Sequence, residues 1–272
     1  MGAVMRMEVR RVTLRNGRQV EVRECSTLEE MAECVRLQGE TWGYEGNDVI
    51  PRRAFIVARH IGGQVIGAFA PDGGRMVGFA MALPGVKEQE ARASGVPEAY
   101  LHSHMLAVEP EWRNEGLGQQ LKLVQREEAL GRGIDRMEWT FDPLESKNAH
   151  LNIHRLGVVV RRYLPDFYGV SSSRLQYGLP TDRLLAEWHL DSTRVASRIA
   201  GDCQPLPPIE ERIMIPAAMS AWKAAGEVAR AREVQQENRK QFEQAFAAGL
   251  AVVGFVRDEQ GNGIYELAEW AG

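Results

Sequence analysis

The chain has 272 residues, with 33 Lys and Arg against 37 Asp and Glu for a formal net charge of −4. That length allows one large domain or two modest ones, and a hydrophobic fraction of 44% can build a sizeable core, which excludes disorder as the main state. A mild acidic excess without a long Lys/Arg block argues against phosphate-backbone binding, so nucleic acid is not an expected partner. Three cysteines, Cys25, Cys34 and Cys203, exclude a dense disulfide framework, and no Cys-x-x-Cys pair offers a zinc or redox site. No apolar run approaches the ~18 residues of a membrane span. The opening stretch, with Arg6, Arg10 and Arg11, lacks the apolar core of a secretory signal. The expectation is a cytoplasmic protein in a reducing compartment, with no membrane partner.

In chain order, residues 8–24 alternate apolar and polar around Asn16-Gly17, a dipeptide suited to a tight hairpin. Ser26 and Thr27 precede Glu29 and Glu30 at capping-box spacing, and Leu28, Met31, Ala32 and Val35 recur at helical intervals, which predicts a helix over 28–41. Pro51 opens a second short helix through Ile56 and Val57. Two apolar runs, 63–70 and 75–83, flank Pro71-Asp72-Gly73-Gly74 as a hairpin. Residues 100–108 read as a strand, followed by a helix carrying Leu117, Leu121 and Val124 on one face. A strand at 137–141, a helix at 147–156 and strands at 158–164 and 183–190 complete a mixed α/β (α+β) layer architecture. Pro205, Pro207 and Pro208 mark a stiff connector. Beyond it come a strand at 211–215, a polar-faced helix from Pro216 to about 248, and a closing hairpin of 250–256 and 264–267. The expected organisation is a domain over 1–195 and a small α/β extension over 205–272. That extension is too small to stand alone, and should dock on the rest of the chain or on another subunit.

The most informative stretch runs from Leu106 to Leu121. A strand ends, Pro110 breaks it, Gly116 and Gly118 allow close backbone approach, and an amphipathic helix begins. Such a junction aims unpaired N–H groups and the positive end of the helix dipole at one spot, where a phosphate can sit. A plain tight loop is the competing reading. A Walker loop is excluded because no Lys-Ser or Lys-Thr follows the glycines. The dinucleotide fingerprint is excluded because Leu121 stands at its third glycine and residues 109–115 are too long for its turn.

Arg113-x-x-Gly116-x-Gly118 resembles the central motif of the GNAT acyltransferases, and Leu106-Ala107-Val108 resembles the strand that leads into it. The order of elements over about 20–190 fits the same family. The resemblance implies a splayed mixed sheet that binds acetyl-CoA. Leu106 and Val108 would then contact pantetheine, and Arg113, Asn114, Glu115, Gly116, Leu117, Gly118 and Gln119 would supply the loop, chiefly through backbone, to the pyrophosphate. Ser146-Lys147-Asn148-Ala149 through Leu156-Gly157 resembles the family's next cofactor segment, which makes Ser146 and Asn148 pantetheine candidates. Here the chain departs from the pattern: Ser146 replaces a usual asparagine, and Ile153 replaces the tyrosine that protonates the leaving thiolate. Tyr168 is an alternative acid, against the plainer reading of a packed aromatic. Trp42-Gly43-Tyr44 either lines an acceptor pocket or anchors the first helix.

Attack of an amine on a thioester requires a base, because an alkyl amine of pKa ~10 is mostly protonated at neutral pH. His102 and His104 lie two apart on the strand, which places them on one face, expected to be that of Leu106 and Val108. His102 also sits six residues before Val108, the offset of a catalytic glutamate in histone-type GNAT members. It is the preferred base, with His104 second and a purely structural histidine as the alternative. The same spacing permits another arrangement, four imidazoles from His102, His104, His150 and His154 on zinc, but the resemblance calls for no metal. The sequence therefore points to transfer of an acetyl group to a small-molecule amine, by direct attack and without nucleic-acid or membrane partners, in a monomer or homodimer. A noncatalytic acyl-CoA-binding regulator is the alternative.

Overall fold

The computed structural model of the chain describes residues 8–44, 46–71, 74–87, 98–202 and 204–270. Arg6, Asp72 and Gly73 of the expected hairpin turn, and Cys203, lie outside them. Eleven strands and seven α-helices are present among the described residues, and no helix there is long and apolar enough to cross a membrane. The chain divides between Met137 and Glu138 into two compact units.

In the first unit, β1 (Arg10–Thr13), β2 (Gln19–Glu24), β3 (Gln64–Phe69), β4 (Met76–Lys87) and β5 (Glu98–Val108) pair in sequence order, each antiparallel to the next. Helix α1 (Leu28–Trp42) starts where the capping residues place it. The Thr27 hydroxyl accepts from Glu30 N–H at 3.2 Å, and the Glu30 carboxylate accepts from Ser26 and Thr27 N–H at 2.6 and 3.1 Å. Its Met31, Cys34 and Leu37, with Phe55 and Ala58 of α2 (Arg52–His60), bury against Phe79, Met81, Met105 and Ala107 on one sheet face. The opposite face packs Ile66, Ala80 and Val108 against Leu117, Leu121 and Val124 of α3 (Leu117–Gly131). Strand alternation thus supplies two cores, one on each side of the same strands.

The second unit orders its strands β6 (Arg136–Phe141), β8 (Arg183–His189), β7 (Val159–Leu164), β10 (Leu250–Arg257), β11 (Gly263–Glu269) and β9 (Glu211–Ile215). Residues 205–272 continue the sheet here, because β10 pairs with β7 through Val252 and Val160. Helix α7 (Val228–Ala247) adds the Phe242 ring, stacked on Tyr163 and edge-on to Tyr265 at centroid distances of 5.8 and 5.1 Å.

Two local expectations need correction, and one helix was not expected. The helix expected over 147–156 is a short α-turn, α4 (Ser146–Ala149), continued by a π-helix at His150–Arg155, with Leu156 N–H reaching the Leu151 carbonyl. The single helix expected after Pro216 is two, α6 (Met219–Ala224) and α7, interrupted at Gly226. Helix α5 (Thr193–Ala200) has no counterpart in the sequence reading. Its Ser192 cap accepts from Val195 N–H at 3.3 Å, and its one buried apolar residue, Val195, gave too weak a periodic signal.

Candidate active site

Strand β5 and helix α3 meet through a short helical turn at Pro110–Trp112. Asn114 at φ 66° and Gly116 at φ 91° bend the chain through two left-handed positions, and Gly116 then caps α3 without any side-chain bond to the first helical N–H groups. The site is one that an L side chain rarely adopts, which is the requirement glycine meets here. Arg113 turns back and donates from Nε to the Val108 carbonyl at 2.8 Å, bracing the loop against the strand end. The Glu115 carbonyl accepts from Arg15 N–H, and Leu117 is sunk in the core, so Leu117 offers a ligand only backbone. Gly118 and Gln119 occupy the first turn of α3. An uncapped N-terminus with a glycine at its mouth suits an anion such as the pyrophosphate of CoA: its N–H donors are oriented, and Arg15 Nε lies 3.8 Å from where a Cβ on Gly116 would stand.

The strand leading into this loop holds a correction. On β4, Ala80 and Ala82 face one way and Phe79, Met81 and Leu83 the other. Their partners on β5 are Leu106 and Ser103 for the first pair, then Ala107, Met105 and His102 for the second set. The register skips His104 between Met105 and Ser103, a β-bulge that reverses the alternation. His102 therefore shares the face of Met105, Ala107 and Leu83, the α1/α2 side, and not the α3 side where Leu106 and Val108 pack. Trp42 and Tyr44, stacked at 5.4 Å, and Ile50 and Leu83 pack onto that same α1/α2 cluster.

Both histidines are only part-exposed. Burial, reinforced by the charges of His104 and Lys122, pushes the His102 pKa down to about 4. Burial also lowers that of His104, whose ring lies 6.0 Å from that of His102. Each imidazole is neutral at pH 7 and can accept a proton.

The sequence reading missed the polar layer beneath β5. Lys122 Nζ donates to Ser103 Oγ at 2.7 Å, Ser103 Oγ donates to Gln125 at 3.0 Å, and Gln64 Nε2 donates to the Gln125 carbonyl at 2.9 Å. Lys122 is 3% exposed, and burial drives its pKa well below the ordinary lysine range. Gln125, four residues after Leu121, falls on the apolar stripe of α3, and that spacing was the available signal; Lys122, next to Leu121, carries none.

In the second unit Ile153 is fully buried, so the position of the expected tyrosine holds an apolar core residue. Tyr168 is 44% exposed: its ring lies edge-on to Phe167 at 4.8 Å and beside the Arg183 guanidinium, and its hydroxyl stands 2.8 Å from Thr140 Oγ1 of β6. Its backbone N–H is held by Thr181 Oγ1, which belongs to a network centred on the fully buried Asp182. Asp182 accepts from the Tyr163 hydroxyl, from Asp166 N–H and from Nε and Nη2 of the Arg239 guanidinium. Ser146 directs its Oγ toward Gly263, while Asn148 is exposed on α4. His150 and His154 stack on each other at 4.6 Å. Among the described residues, no three His, Cys, Asp or Glu side chains converge to hold a metal ion.

A sequence model of the acetyltransferase (GNAT) family matches residues 29–157. Among solved structures, Arabidopsis thaliana NAA60 in complex with a bisubstrate analogue is 15% identical, covers 62% of this chain and 97% of its own, and superposes with a TM-score of 0.51. Salmonella typhimurium yncA with acetyl-CoA is 16% identical over 70% and 98%, with a TM-score of 0.45. No curated protein matches the chain in sequence. The first of these likenesses shares the fold, and the family match covers β5, the glycine loop and α3. Residues 29–157 of this chain are a GNAT-family acetyltransferase domain.

Proposed function

We propose that the chain transfers an acetyl group from acetyl-CoA to the amine of a small molecule by direct attack, with His102 as general base. The observation that carries this reading is the register that puts the part-exposed His102 ring on the α1/α2 face of β5, the side whose core cluster Trp42 and Tyr44 pack against, with burial lowering its pKa. The backbone of residues 114–119 would hold the pyrophosphate and the 106–108 edge of β5 the pantetheine, with Ser146 and Asn148 as further pantetheine candidates. Acetyl-CoA supplies the activated thioester; the work left to the protein is removal of one proton from the amine and delivery of another to the leaving thiolate. His102 takes the first at its free imidazole nitrogen, directly or through a water, with His104 the second candidate. Tyr168 is the proposed donor of the second. A base of pKa about 4 is weaker than the amine it serves, so it acts by accepting the proton as the new bond forms. This reading calls for no metal, nucleic-acid or membrane partner, and it holds for a monomer or a homodimer.

The test is turnover of acetyl-CoA across a panel of small amines, followed by His102→Ala. The variant should lower kcat/KM by ~10²–10⁴ at neutral pH with CoA affinity nearly intact, and raising the pH should partly rescue it. Activity within about threefold of wild type would remove His102 from the mechanism. CoA binding without turnover of any amine would favour the noncatalytic regulator.

A further inference from the structure

We propose that the C-terminal segment is the positioning element for the cofactor segment of the second unit, and that Lys223 is its key residue. This rests on the reading of residues 146–157 as facing CoA. Residues 142–146 connect β6 to α4 and set where Ser146 and Asn148 stand. Their local geometry begins with Asp142, whose carboxylate accepts from Leu144 N–H at 2.8 Å, and with Glu145, whose carbonyl accepts from Ala149 N–H at 3.0 Å. Two carboxylates three residues apart at a helix start repel each other unless a cation lies between them.

That cation comes from α6. Lys223 is 2% exposed, and its Nζ donates to Asp142 Oδ2 at 3.2 Å and Glu145 Oε1 at 3.0 Å. Burial works against its charge, yet the two carboxylates outweigh burial and hold its pKa above the ordinary value. A buried ammonium with two anionic partners is fixed in place, because leaving either one unpaired is strongly unfavourable. Strand β11 makes the second and third contacts. The fully buried Tyr265 hydroxyl donates to the Pro143 carbonyl at 2.8 Å. At Gly263 a Cβ would stand 2.7 Å from Ser146 Oγ and 2.6 Å from the Phe255 ring, so only glycine lets β11 approach so closely. Side chain, hydroxyl and bare backbone from two elements beyond residue 205 thus converge on five consecutive residues. Lys223 and Tyr265 are positioning residues: they act on the cofactor through residues 142–146.

The experiment is CoA titration by calorimetry on the full chain, with urea melts in parallel. Lys223→Met should raise the CoA Kd at least tenfold, and Tyr265→Phe, which removes only the hydroxyl, about three- to fivefold. Phe246→Ala is the control: its ring stacks on Phe242 in α7, so it should lower stability while leaving the Kd within twofold. An unchanged Kd in folded Lys223→Met, or equal weakening in Phe246→Ala, would overturn the proposal. Should Lys223→Met fail to fold, an unchanged Kd in Tyr265→Phe would overturn it. Wild type that fails to bind CoA would overturn the cofactor reading itself, whereas binding by wild type with unaffected variants would overturn the positioning role alone.

Discussion

Lowering the pH from 7.5 to 5 should remove stability through His102. Burial, then the neighbouring His104 and Lys122 charges, bring its pKa in the folded protein to about 4, against 6.5 in an ordinary environment. Between those values the unfolded chain holds one more proton than the folded one, so stability falls as pH falls through that window and the effect is absent above it. The full difference is worth about 3 kcal/mol at 1.36 kcal/mol per pH unit. The imidazole keeps some solvent contact, and the window is only partly crossed at pH 5, so a loss of ~1–2 kcal/mol is expected there. Urea melts of wild type and His102→Gln at pH 7.5 and 5.0 measure it: the variant should lose ~1–2 kcal/mol less over that interval. An NMR titration of the ring should give a midpoint near 4. A midpoint above 6, or the same pH dependence in both proteins, would refute the argument that burial holds this imidazole neutral.

Gly116→Val places a branched side chain at φ 91° at the mouth of α3, and should cut CoA affinity at least tenfold in a protein that still folds; unchanged calorimetric affinity would sink the loop assignment. Tyr168→Phe removes a hydroxyl bonded to Thr140 on the surface, so it should cost under ~1.5 kcal/mol in urea melts while lowering kcat at least tenfold; an unaltered kcat would leave Tyr168 without a catalytic role. Asp182→Ala strips the partner from Arg239, Tyr163 and Asp166 N–H at once and should destabilise the chain by ~3–5 kcal/mol. A measured loss under ~1 kcal/mol would show that the network relaxes around the change.

The sequence by itself determined most of the elements and the glycine-bearing turn between β5 and α3. Capping residues, turn dipeptides and apolar periodicity act over four or five neighbours, so α1, the β3–β4 hairpin and the β10–β11 hairpin were legible within a few residues. The glycine loop was legible for the same reason, since its left-handed bend is written in Asn114 and Gly116. What the sequence could not give was the direction of a side chain after an irregularity. His102 and Leu106 lie four residues apart, which in a regular strand is one face. The bulge at His104 adds a residue that only the pairing with β4 reveals, and it turns His102 to the opposite side. The π-helix at 150–155 was hidden in the same way, because its hydrogen bonds span only one residue more than those of an α-helix.

The polar centres were also decided by tertiary structure. Lys122, Asp182 and Lys223 read as ordinary surface charges in the sequence. Asp182 and Lys223 are buried because oppositely charged partners from other elements compensate them, Arg239 for the first and Asp142 with Glu145 for the second, whereas Lys122 has a hydrogen bond to the neutral Ser103 hydroxyl and burial lowers its pKa. Burial of a charge depends on what the rest of the chain brings to it, and those partners stand 19 to 81 positions away in sequence. Periodicity reports the preference of one element for a face, whereas the bulge, the buried ion pairs and the neutral His102 exist only once separate elements meet.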